Sequence, residues 1–81
     1  MGNRVGVVAI ILDDIEAAPK VNEILHAFSY IIVGRMGIPY KERGVSVISI
    51  IVDGTTDEIS ALTGKLGRIH NVQVKSAITR N

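Results

Sequence analysis

Apolar and polar positions alternate in one layout that occurs twice along the chain. Arg4 to Leu12 is a nearly unbroken aliphatic run, Asp13 to Phe28 carries a helical stripe, and Ser29 to Ile38 is again extended and apolar. Val45 to Val52, Asp53 to Ile69 and Asn71 to Thr79 repeat that order. Each half therefore reads strand, helix, strand. Between them lies Pro39-Tyr40-Lys41-Glu42-Arg43-Gly44, a polar stretch bounded by proline and glycine, which predicts a loop.

In the first helix Val21, Ile24, Leu25 and Phe28 fall at i, i+3, i+4 and i+7, one apolar stripe. Pro19 fits only a first turn, so the regular helix should begin between Ile15 and Pro19. Thr55-Thr56-Asp57-Glu58 predicts a capping box for the second helix, whose stripe is Ile59, Leu62, Leu66 and Ile69. Gly64 and Gly67 interrupt that helix, as sites of close approach for a backbone or ligand or as a fraying end. The first strand is apolar at both parities, and so is Val45–Val52 apart from Ser46 and Ser49. Strands covered on both faces read this way, whereas Val72–Thr79 alternates as a half-exposed strand does.

Two right-handed β-α-β units joined by a hairpin define an α+β, ferredoxin-like βαββαβ sandwich. It has a four-stranded antiparallel sheet with two helices on one face. Strands one and three should be central, with two and four at the edges. At 81 residues the chain has room for a single domain, residues 1–81. A chain of this size is marginal by itself. Cysteine is absent, which removes disulfides, thiolate metal sites and thiol catalysis as remedies. The composition is 47% hydrophobic and the mean hydropathy +0.34, more aliphatic surface than one small core hides. A homo-oligomer, dimer or tetramer through the sheet, is the expected partner state.

Charge and candidate chemistry narrow the picture further. The net charge is +1 with no basic block, so direct nucleic-acid binding is not expected. Val5–Leu12 is too short to span a membrane, Met1–Val5 has no signal-peptide pattern, and Gly6 stands where a myristoylation motif needs Ser or Thr. The expected location is the cytoplasm. His26 and His70 lie far apart and no His-x-x-x-His spacing occurs, so no metal site within one chain and no cofactor is expected. Asp13 and Asp14 could together hold a hard cation, but two carboxylates without further oxygen ligands are a weak signal for one. No nucleophile–base order points to catalysis.

Arg35 is a charge late on an apolar strand. Either it faces an anionic ligand or a partner carboxylate, or it is an edge charge that blocks strand-to-strand aggregation. Gly64-Lys65-Leu66-Gly67-Arg68 superficially resembles a phosphate loop, but its Gly-Lys precedes Leu66 and lies late in a helix, so nucleotide hydrolysis is rejected. Lys65 and Arg68 also suit a helix C-terminus electrostatically. Arg35, Gly37, Gly64 and Lys65 are the candidate ligand-binding residues, and no catalytic residue is assigned.

The blocks Val21–His26, Ile32-Val33-Gly34-Arg35-Met36-Gly37-Ile38-Pro39-Tyr40, Val47-Ile48-Ser49 with Val52-Asp53-Gly54, and Ala61-Leu62-Thr63-Gly64-Lys65-Leu66-Gly67 resemble the iron-only hydrogenase system regulator family over nearly the whole chain. That resemblance implies a ferredoxin-like domain similar to ACT domains and to the C-terminal domain of the nickel-responsive regulator. It implies a regulatory role linked to iron-only hydrogenase, transcriptional in one form. The chain lacks a matching Cys and His set and a ribbon-helix-helix segment, so nickel sensing is not implied. A small-molecule effector is the first expected partner. The alternative is a non-sensing adaptor for hydrogenase maturation proteins. An acylphosphatase-like enzyme is disfavoured, because its Gly-rich loop with a following Arg does not follow strand one.

Overall fold

The computed structural model describes residues 2–79. β1 (Arg4–Leu12) leads through a short 3-10 turn at Ile15–Ala17 into α1 (Ala18–Ala27). After a second such turn at Ser29–Ile31, β2 (Ile32–Tyr40) and β3 (Val45–Gly54) form a hairpin. α2 (Thr56–Gly67) and β4 (Val72–Ile78) complete the chain. The four strands make one antiparallel sheet in the order β2-β3-β1-β4, so the two most aliphatic strands are central, as their composition predicts.

Local chemistry sets the helix starts. The Asp14 carboxylate accepts from the Glu16 N–H at 3.0 Å, which ends β1 and opens the 3-10 turn. Pro19 stands in the first turn of α1. At α2 the predicted capping box closes in both directions: the Glu58 N–H donates to Thr55 Oγ1 (3.1 Å) and the Thr55 N–H to Glu58 Oε1 (2.8 Å). These bonds satisfy N–H groups that a helix start otherwise leaves unpaired.

Both helices pack on the same face. Val8, Ile10 and Leu12 of β1 and Ile48, Ile50 and Val52 of β3 meet Val21 and Leu25 of α1 and Ile59, Leu62 and Leu66 of α2. Phe28 and Ile31 close this core at the exit of α1. Among the described residues no polar or charged side chain is buried.

The second strand is displaced from its expected position. The apolar pattern places it at Ser29–Ile38, and it runs Ile32–Tyr40. Phe28 and Ile31 both belong in the core, and the 3-10 turn, with the Ile31 N–H donating to the Phe28 carbonyl at 3.0 Å, turns both inward before the strand begins. Pro39 and Tyr40, expected in the loop, extend β2, because an edge strand can accommodate a residue without an N–H. The connection shrinks to Lys41–Gly44, with Gly44 at φ 68°, the left-handed region that glycine adopts freely.

β2 also contains a bulge. Ile32 pairs with Val52 and Gly34 with Ile51, so Val33 is an extra residue. A bulge shifts the alternation of every residue after it. Arg35 and Gly37, opposite Ile50 and Ile48, thereby take the helix side, while Met36 and Ile38 take the open side.

Candidate functional site

Two kinds of surface stand out: the uncovered face of the sheet and the clefts around the helices. On the uncovered face, alternation places Val5, Val7, Ala9 and Ile11 of β1 beside Val47, Ser49, Ile51 and Asp53 of β3. Gln73, Lys75 and Ala77 of β4 flank them on one side, and Met36 and Ile38 of β2 on the other. Val5, Val7 and Ile51 are 47%, 45% and 44% exposed and Met36 63%, although they lie in or beside the centre of a sheet. A continuous apolar surface of this kind is what partner surfaces look like before they are covered.

The helix side has four relevant clefts. A groove of about 580 Å³ runs between the start of α1 and the end of α2. Ala17, Ile24 and Ile69 give it an apolar floor, and Lys20, Lys65, Arg68 and His70 stand around it with Asp14 and Glu16. Asn71 also lines it, at φ 65°, and its carbonyl accepts from the Asp13 N–H at 2.8 Å, which ties this turn to the end of β1. Asparagine is one of the few non-glycine residues that visits this backbone region readily.

Arg35 lies in a second cleft. Its Nη2 donates to Asn22 Oδ1 of α1 at 3.1 Å, and Leu25, His26, Ser29 and Ile32 line the same hollow. Toward the end of β2, Arg35 and Gly37 share a smaller cleft of about 170 Å³ with Ala18, Pro39 and Ser46. Gly64 lies elsewhere, in a shallow hollow between α2 and β4 with Thr63 and Ser76.

The four candidate residues therefore separate into three places within one chain. Arg35 and Gly37 come together on the β2 edge, whereas Gly64 and Lys65 face different hollows of α2. Neither Gly37 nor Gly64 is glycine because of a close neighbour in the chain: a Cβ at Gly37 would meet Ile48 at an ordinary 3.7 Å, and one at Gly64 would meet nothing within 4 Å. The groove residues Lys20 and Asn71 carry no signal in the sequence and His70 stands there only as an isolated histidine, because the groove joins segments more than forty residues apart. The positive φ at Asn71 leaves only a weak trace, an Asn between a helix and a strand.

Among the described residues no three His, Asp or Glu side chains converge as metal ligands, and no helix is long and apolar enough to cross a membrane.

No curated protein matches the chain. Among solved structures, an uncharacterised protein from Thermotoga maritima superposes with a TM-score of 0.92 at 36% identity, covering 98% of this chain and 100% of that one. The ACT domain from the GTP pyrophosphokinase of Chlorobium tepidum matches at 0.76 and 15% identity, covering 94% of this chain and 100% of the other, which shows a shared fold. CPII, a nitrogen regulatory PII-like protein from Thiomonas intermedia K12 solved with ADP, AMP and acetate, matches at 0.53 and 14% identity, covering 100% and 94%. The family model of TM1266-like proteins matches residues 4–76, and the chain belongs to this iron-only hydrogenase system regulator family.

Proposed function

We propose that the chain is a non-catalytic regulatory module of the iron-only hydrogenase system, which works as a homo-oligomer built through its sheet and responds to a small ligand. The observation that carries the oligomer is the uncovered sheet face, where Val5, Val7, Ile51 and Met36 remain exposed to water. Family membership supports the regulatory half. The helix-end groove around Lys65 supports the ligand half, since its size lies in the range of small-molecule sites and Lys20, Lys65 and Arg68 outnumber Asp14 and Glu16 around an apolar floor. The cleft of Arg35 and Gly37 is the second candidate.

Sedimentation equilibrium tests the assembly; a monomer at high micromolar concentration overturns it. Native mass spectrometry and thermal shift with ADP, AMP, acetate, amino acids and divalent metals test sensing. The expected result is a stabilising shift with at least one anionic ligand, reduced in Lys65→Ala or Arg35→Ala. No shift with any of them, alongside recovery of hydrogenase maturation proteins in a pull-down, replaces the sensor with an adaptor.

A further inference from the structure

The uncovered sheet face carries two charges among its strand positions, Asp53 on β3 and Lys75 on β4, and their placement is self-complementary. Asp53 pairs across with Val5 of β1, and Lys75 pairs across with Ala9 of the same strand. The two charges thus sit on either side of β1 and four residues apart along it. With strands about 4.8 Å apart and about 3.4 Å of rise per residue, they are roughly 17 Å apart on a diagonal. The middle of that diagonal is Val7, the residue halfway between Val5 and Ala9 on the intervening strand.

A twofold axis lying between two stacked sheets exchanges the ends of any such diagonal when it crosses it at right angles at the midpoint. We propose that this face binds a second copy of the chain about a dyad at Val7, with Asp53 of each copy against Lys75 of the other. This deepens the oligomer reading above and rests on it. A partner of any other shape would have to match an acid and a base at that spacing, whereas a second copy does so by symmetry. The same operation brings Val7 against its own counterpart. It also sets Ile51 over the partner's Ala9 and Val5 over the partner's Ala77, large side chains over small ones. The strands of the two sheets then cross steeply, in the orthogonal class of sheet packing. Asp13, just beyond β1, is not free for this role, since Gln73 Nε2 already donates to its Oδ2 at 3.0 Å.

Both charges are exposed in the monomer, so reversing either leaves the core intact, which circular dichroism verifies. The experiment is the dimerisation Kd by sedimentation equilibrium for the full chain and for Asp53→Lys, Lys75→Asp and the double reversal. Each single variant is expected to weaken the dimer by about tenfold or more, and the double variant to return to within about threefold of the original, as charge pairs across interfaces do. Val7→Lys, at the dyad, is expected to yield a folded monomer. An original chain that is monomeric overturns both this pairing and the oligomer reading. A dimer indifferent to the single reversals and to Val7→Lys, one built on the β2 edge or another surface, overturns the pairing and leaves the oligomer standing. Single losses that the double reversal fails to restore also overturn it.

Discussion

Single residues in this small protein divide into those whose neighbours leave no choice and those with open space around them. Gly54 is of the first kind. It ends β3 directly before the α2 cap, and a Cβ there would lie 3.0 Å from both Ile31 Cγ2 and Glu58 Oε1. Ile31 is buried and Glu58 is held by the cap, so neither gives way cheaply. Gly54→Ala should lose about 1–3 kcal/mol in urea unfolding. Gly64 is of the second kind. With open space around it in a helix, Gly64→Ala should add up to about 1 kcal/mol to monomer stability. A glycine kept for a ligand or a neighbouring backbone betrays itself if the same variant weakens ligand shift or assembly while the melting temperature rises. Arg35→Ala removes an exposed bond to Asn22 and should change stability by no more than about 0.5 kcal/mol. A larger loss would mark Arg35 as structural.

Among the elements, α2 and β2 show opposite degrees of legibility. The ends and inner face of α2 follow from its own residues, because the cap is a contact between positions three apart and the apolar stripe needs only the helical repeat. Thr55→Ala should therefore cost about 1 kcal/mol, read from chemical denaturation. Leu62→Ala, in the middle of the buried stripe, should cost about 2–5 kcal/mol and leave little of the fold at physiological temperature. β2 is less legible. Its start is delayed by a turn that serves the core, and its bulge is invisible in a run of Ile, Val and Gly. An uninterrupted strand with Ile32 on the core side would turn Arg35 toward open sheet. The extra residue at Val33 turns it toward α1 instead. Strand register after a bulge depends on what β3 offers opposite, which no local pattern encodes.

For the whole molecule, the central question is what the sheet does with its second face. A domain of this length buries only roughly 60–65% of its unfolded surface, so covering that face is its most accessible source of further stability. If two or more copies do so, folding and association are linked, and the melting temperature should rise with protein concentration. Differential scanning calorimetry over a hundredfold range of concentration checks this. A melting temperature independent of concentration would mean that the apolar face is stable uncovered.

The sequence by itself determined the order of elements, the central place of β1 and β3, both helix starts and the surplus of aliphatic surface. All of these rest on short-range periodicity or on composition. Only the tertiary structure decided which residues share a surface. It turned Arg35 and Gly37 to the helix side, left Gly64 and Lys65 in separate hollows, and gathered Lys20, Lys65, Arg68 and His70 around one groove. It also placed Asp53 and Lys75 symmetrically about Val7. The reason is physical: a groove or a face is assembled by cross-strand register and helix packing, and these depend on residues distant along the chain.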